Sequence, residues 1–296
     1  MGFKVKIVLC LALLSMAFGQ EVRLSEESEE WPVQDENGYY LPYKIAGKWN
    51  NWWLRNKPSL WTTLGLFIKS SDRSNIPSNK EELDQTLPIE LPYWLNDSSS
   101  QSVGAPGIRA TWIGHATVLA EVDSTLVLAD PIFSLRASPV SWAGRKRYRT
   151  AACTVDELPE QLKVNVEKIV LNKKIVKLFL FQAVIISHNH YDHLDYYSVL
   201  DLHNRYGTQL HWYVPAGMHS WLVDNFSMNE GNVHEMTWWQ EEVVPGTNTK
   251  IAFTPANHWC KRTFFGRNKM LWGSWAIIGS EHKYVSVEYV IFHFLF

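Results

Sequence analysis

The segment Ser187–Asp195, SHNHYDHLD, places His188, His190 and His193 within six residues and sets Asp192 among them. Imidazole nitrogens and carboxylates are ligands that a divalent ion such as Zn²⁺ accepts, and their spacing decides whether they can share one. Residues i and i+2 of an extended segment point to the same side, so His188 and His190 can converge on one point. Asp192 and His193 lie on the turn that follows and can face a second point nearby. A bound ion lowers the pKa of water toward neutrality and offsets charge developing on a phosphoryl or carbonyl oxygen. A lone histidine is more often a hydrogen-bonded structural residue. An H-x-H-x-D-H string, however, arises by chance with a probability on the order of one in a thousand, and it therefore reads as a metal motif.

One more imidazole is needed to close a three-histidine set. His258 in PANHWCKR supplies it, directly after the strand-like run KIAFTPA. Two other residues carry weaker signals. His115 in TWIGHAT sits at a tight turn, where it either orients a neighbour or serves the fold alone. Asp130, before Pro131, reads as a turn carboxylate that bonds backbone rather than as a ligand. His203, His211, His219, His234, His282 and His293 have no partners in sequence and read as ordinary.

The cluster needs elements to hold it. AVIIS at 183–187 is a buried strand that runs into the histidines, HLDYYSVLDLHNRYG has helical spacing with a stop at Gly207, and QLHWYVP reads as another strand. Strand, loop, helix, strand is an α/β unit. Upstream, IRATWIGHATVLAEVDSTLVLADPIF reads as two strands around turns at Gly114 and Asp123; downstream, KIAFTPA and LWGSWAIIG are strand-like.

The chain of 296 residues is 46% hydrophobic, enough to fill a substantial core. Its net charge of -2, with no basic stripe, argues against a nucleic-acid partner. Residues 1–19 have a basic start at Lys4 and Lys6 and an apolar run from Ile7 to Phe18, the pattern of a signal peptide or hydrophobic leader. Residues 20–38 form an acidic, flexible lead-in. Cleavage of the leader would remove Cys10 and leave Cys153 and Cys260, which we expect to be free thiols. Fifteen tryptophans are many, and Trp49, Trp52, Trp53, Trp61 and Phe67 stand among lysines and an arginine. Such a stretch either rests on a lipid surface or packs over the core.

The segments TWIGHATVLAEVD, LADPIFSLRASP, RKRYR, CTVDELP, ISHNHYDHLDY, VPAG, NHWCKR and LWGSWAIIG occur in that order. Together they resemble the N-acyl-phosphatidylethanolamine-hydrolysing phospholipase D family of the metallo-β-lactamase superfamily, from Tyr39 to Gly279 with one interruption. The resemblance implies an α/β fold, the αββα sandwich, holding two zinc ions. It also implies hydrolysis of a membrane phospholipid to an N-acylethanolamine and phosphatidic acid. By that resemblance His188, His190 and His258 match the ligands of one zinc, Asp192 and His193 match ligands of the other, Asp192 is also the catalytic residue, and Tyr191 meets the lipid substrate. The expected partners are a phospholipid and a membrane surface, and a homo-oligomer is compatible. The leader points to the secretory or endomembrane route, the family to the cytoplasmic face of intracellular membranes. A hydrolase of another phosphoester or ester, or a non-catalytic lipid-binding fragment, stays open, because fold alone does not set the substrate.

Two departures from the family pattern stand out. The second half, with the Asp that bridges the zincs and a later His, has no match, so the chain offers five of the seven ligands implied. We therefore expect an incomplete sandwich, at most one well-formed zinc site and impaired activity. In addition, residues 164–182 interrupt the family pattern and are rich in Lys, Asn, Ile, Val, Leu and Phe, whose codons are mostly AT-rich. Lys163-Val164 can be encoded AAG-GTA, Phe181-Gln182 TTT-CAG and Val285-Ser286 GTA-AGT, which are splice-site sequences. We read 164–182 and 284–296 as translated introns; the rival reading is an amphipathic lid beside the site. Sequencing mature transcripts across both junctions should show most copies without the codons for Val164 to Gln182, and their retention in most copies would sink the reading.

Overall fold

The computed structural model describes residues 33–51, 76–77, 79–96, 103, 107–159, 181–263, 265–281 and 285–287. The leader, Trp52, Trp53, Trp61 and Phe67, most of the 164–182 segment and residues 288–296 lie outside the described residues. Strands are β1 Tyr43–Ile45, β2 Lys48–Asn50, β3 Ile108–Gly114, β4 Thr117–Val122, β5 Thr125–Ala129, β6 Arg136–Ala137, β7 Arg145–Lys146, β8 Phe181–Ile185, β9 His211–Pro215, β10 Val233–Met236, β11 Glu241–Val243, β12 Lys250–Thr254, β13 Ser274–Ile278 and β14 Val285–Val287. Helices are α1 Lys80–Thr86, α2 Tyr196–Tyr206 and α3 His219–Phe226.

Two sheets dominate, one of six strands in the order β10-β9-β8-β5-β4-β3 and one of four in the order β11-β12-β13-β14. Within the first, β10, β9, β8 and β5 are parallel neighbours, whereas β3, β4 and β5 form an antiparallel meander. Residues 108–129 thus give three strands where two were expected. The reason lies in the Asp123–Ser124 connection: both residues have positive φ, 45° and 73°, the two-residue turn whose twist matches a hairpin.

Helix α2 follows its sequence signals closely. The Asp195 side chain caps its start by accepting from the Ser198 N–H, and Gly207, at φ +57°, ends it while its N–H bonds the His203 carbonyl. Between those ends Val199, Leu202 and Tyr206 are buried. They join Leu222 and Phe226 of α3 against Leu119, Leu128, Val184 and Trp212 on one face of the six-stranded sheet. On its other face Val127, Ala129, Ala183 and Ile185 meet Ile251, Phe253, Trp275 and Ile277 of the four-stranded sheet. Helix, sheet and sheet therefore stack in the order of the αββα sandwich.

Tryptophan serves the core as well as the surface. Trp212, Trp238, Trp272 and Trp275 are fully buried, and Trp275 Nε1 donates to the Ile186 carbonyl at 3.0 Å. Just ahead of β13, Gly273 leaves no room for a side chain: a Cβ there would stand 2.5 Å from both Phe253 and the Thr254 carbonyl of the neighbouring strand β12. At the start of β8 the pairing with β5 steps from Leu126–Phe181 to Val127–Ala183, and the Gln182 side chain accepts the Leu126 N–H at 2.9 Å. Strand β8 thus includes Phe181 and Gln182, the last two residues of the 164–182 segment. Residues 285–287 of the second interrupting segment pair with β13 as an edge strand.

Cys153 and Cys260 are free, as expected, and belong to the cores on opposite faces of the six-stranded sheet. Burial, followed by the Glu157 charge, pushes the Cys153 thiol up to about 12; burial pushes Cys260 up to about 11 against bonds from the 268 and 270 backbone. Thiols raised above their unfolded value of 9.0 stabilise the fold below that pH, and the contribution is lost as pH rises through 11 to 12. In mildly alkaline buffer, iodoacetamide should leave both residues unmodified in the native chain and alkylate both in concentrated guanidinium, as read by peptide mass spectrometry.

Candidate metal centre

The parallel pairing of β5 with β8 brings the residues after both strands to one edge of the sheet. Ser187 follows β8 there, and its N–H and hydroxyl both bond the carboxylate of Asp130 after β5, at 2.7 and 2.5 Å. Asp130 also receives Nδ1 of His193. Asp130 is therefore more than the turn carboxylate expected: it does bond backbone, and it also fixes the ring of a candidate ligand. With no exposed surface, its charge is matched by those donors.

His188, His190 and His258 converge as their spacing predicts. His188 Nε2 lies 2.8 Å from His190 Nδ1 and 3.0 Å from His258 Nε2, and the last two nitrogens are 3.3 Å apart. Ligands on a tetrahedral ion with about 2.0–2.1 Å bonds would lie about 3.3 Å apart, so the three nitrogens fit one ion. The Ser187 hydroxyl, which donates to Asp130, lies 2.8 Å from His188 Nδ1 and can accept its proton, which leaves the Nε2 lone pair directed at the other two rings. Burial, reinforced by His193, His258 and His190, holds His188 well below the usual imidazole range, so it stays neutral as a ligand must. Trp259 closes the site from the side, its ring edge-on to His190 at 4.5 Å.

Asp192 and His193 form part of a second set. His193 Nε2 lies 3.7 Å from Asp192 Oδ2, and His115 Nε2 approaches the same oxygen at 3.1 Å. The donor atoms of His115, Asp192 and His193 all fall within 4.8 Å of one another, a grouping that can hold an ion. Burial works against the Asp192 charge, but the His115 hydrogen bond and the nearby His193 hold its carboxyl below the usual range. His193 is drawn both ways: burial lowers it, while the charge and hydrogen bond of Asp130, with Asp192, raise it above its ordinary value. The rings of His188 and His193 lie 4.1 Å apart, so the two sets adjoin.

The site has a closed floor and an open mouth. His188 and His258 are 2% and 5% exposed, whereas the side chains of Asp192 and His115 are 40% and 41% exposed. Tyr191 has a bracing role: its hydroxyl donates to the Arg262 carbonyl at 2.9 Å and its ring lies under the Arg262 guanidinium at 4.3 Å. Arg262 also donates to the Leu194 carbonyl at 2.7 Å, which ties the loop after β8 to the loop after β12. Sequence reasoning missed Ser187 and Arg262 and undervalued Asp130; His115 carried a usable signal, a histidine at a turn of positive φ. His203, His211, His219 and His234 lie in no such group, and His282 and His293 are outside the described residues.

A sequence profile described as beta-lactamase superfamily domain matches residues 174–286. The chain is 32% identical over 238 residues to N-acyl-phosphatidylethanolamine-hydrolyzing phospholipase D 1 of Caenorhabditis elegans, a match covering 79% of this chain and 59% of that one. It is 23% identical over 288 residues to the mitochondrial N-acyl-phosphatidylethanolamine-hydrolyzing phospholipase D of Saccharomyces cerevisiae, covering 86% of this chain and 56% of that one. The chain thus spans less than two thirds of either curated relative. Among solved structures, a metallo hydrolase from Ignicoccus hospitalis matches 60% of each chain at 18% identity and a TM-score of 0.37.

If the three imidazoles share an ion, wild type and His203→Ala should both retain stoichiometric metal through gel filtration, and His258→Ala should lose it. Elemental analysis of the eluted chains checks this.

Proposed function

We propose that the chain, which is similar to a beta-lactamase superfamily domain and to N-acyl-phosphatidylethanolamine-hydrolyzing phospholipase D 1 of Caenorhabditis elegans, is a metallo-β-lactamase-fold, zinc-dependent phosphodiesterase acting on N-acyl-phosphatidylethanolamine. The observation that carries the reading is the meeting of three imidazole nitrogens within 3.3 Å beside a second set containing Asp192 and His193. His188, His190 and His258 would hold one ion, and Asp192 and His193 would contribute to holding its neighbour. When bound, the ions make hydroxide available near neutral pH and offset charge on the phosphoryl oxygens.

The protein's own groups set the geometry of the reaction. His188, kept neutral by burial, offers a lone pair rather than a proton, and Asp192 carries its negative charge at the open side of the centre. A phosphodiester entering from that side meets Asp192 before it meets the buried histidines. Water adds its oxygen to phosphorus, the bond from phosphorus to the ethanolamine oxygen breaks, and that oxygen takes a proton. The products are an N-acylethanolamine and phosphatidic acid. Tyr191 would border the lipid, its ring held under the Arg262 guanidinium.

A membrane surface is part of the proposal. Trp112, Trp142 and Phe265 are 69%, 80% and 75% exposed, and aromatic side chains of that kind settle at the headgroup level of a bilayer. Among the described residues no helix is long and apolar enough to cross a membrane.

The purified, zinc-loaded chain should convert N-acyl-phosphatidylethanolamine in liposomes to both products, at the impaired rate expected when five of the seven implied ligands are present, as read by mass spectrometry. Activity should stop on chelation, return with zinc, and fall by about 100-fold or more in His190→Ala, since losing even an outer partner of a metal ligand costs up to that much. Metal-dependent cleavage of a simple phosphodiester with the lipid left intact would assign a different ester substrate. A metal-loaded chain that cleaves neither would refute the proposal.

A further inference from the structure

Asp192 is the candidate ligand least constrained by its surroundings, because its side chain is 40% exposed while His188 and His258 are buried. A carboxylate on an open loop has several rotamers available unless a second group selects one. We propose that His115, through the hydrogen bond from its Nε2 to Asp192 Oδ2 at 3.1 Å, is a positioning residue that holds Asp192 beside His193 as a metal ligand. The proposal rests on the metal-centre reading above and gives His115 a role within it.

Chemistry assigns the direction of that bond. An ionised carboxylate only accepts, so Nε2 of His115 is the donor. The backbone around His115 is arranged to deliver the ring. Gly114 and His115 both have positive φ, 138° and 53°, and a non-glycine residue in the left-handed region is uncommon. The Trp112 indole N–H donates to the His115 carbonyl at 2.8 Å, closing the turn on itself. A side chain at Gly114 would meet the Arg147 guanidinium at 3.0 Å, so the turn is confined from outside as well.

The turn also lies in the right place. Val118 pairs with Ala129, which sets the start of β4 beside the end of β5 and hence beside Asp130. From there the His115 ring reaches Asp192, 77 residues later, and stands edge-on to His193 at 5.9 Å. Ser187 and Asp130 already hold His188 and His193 in the same manner. His115 completes the pattern for the remaining residue of the histidine loop's second set.

The test uses the full chain, stripped of metal and titrated with Zn²⁺ and Co²⁺ against a chromophoric chelator. Wild type is compared with His115→Ala and His115→Gln, since the glutamine amide can donate a hydrogen bond from about the position of Nε2. We expect His115→Ala to weaken the looser of the bound ions by about 10–100-fold and to change the Co²⁺ absorption spectrum, with the melting temperature of the stripped chain unchanged. His115→Gln should recover most of the lost affinity. Wild-type affinity in His115→Ala would overturn the proposal. Equal losses in both variants at unchanged melting would overturn it in favour of direct ligation by the ring, and early melting of both stripped variants would mark a residue of the fold. A wild-type chain that binds no metal would overturn the metal centre itself, and this proposal with it.

Discussion

The buried carboxylate of Asp130 is the constraint on which the rest of the site depends. It lies at the end of β5 with a positive φ of 37° and no exposed surface. Such a group costs several kcal/mol unless donors surround it. The donors it finds are the N–H and hydroxyl of Ser187 and the His193 ring, all on the loop that leaves β8. Satisfying one charge therefore folds that loop back over the sheet edge, and the loop carries four candidate ligands with it. Sheet pairing and site geometry are one requirement, because only parallel neighbours bring two strand ends together.

Residues near one another in the chain were legible from sequence because their geometry is local. The alternation of His188 and His190 and the stop at Gly207 both follow from one segment's dihedral preferences, and the structure keeps each. His258 was legible too, as a histidine directly after a strand. What escaped depends on pairing across long separations. Nothing in LADPIF tells a reader that Asp130 will stand beside Ser187, 57 residues on, and nothing in HWCKR says that Arg262 will cover Tyr191. The miscount of strands between 108 and 129 has a local cause: Asp and Ser at positive φ make a hairpin turn without the glycine that usually announces one.

The abundance of tryptophan resolves into distinct physical uses. Four indoles are sealed in the core, and where the ring N–H is donated, as from Trp238 and Trp275, it goes to a carbonyl at 2.6 and 3.0 Å. Trp112 and Trp142 face outward. Composition alone could not separate these uses, since the same side chain suits a dry interior and an exposed surface, and Trp112 finds an acceptor in the His115 carbonyl even while facing outward.

Gly273 joins the second sheet to the loop that carries the ligands. Its N–H bonds the Ser187 carbonyl at 3.1 Å, so the residue lies against the first member of the histidine loop, while Phe253 fills the space where its side chain would be. A single methyl group there would press on the neighbouring strand β12, at the Phe253 ring and the Thr254 carbonyl, and so disturb the residue that bonds Ser187. The join between the second sheet and the histidine loop thus depends on a missing carbon atom, at a residue that offers the metal centre no chemistry at all.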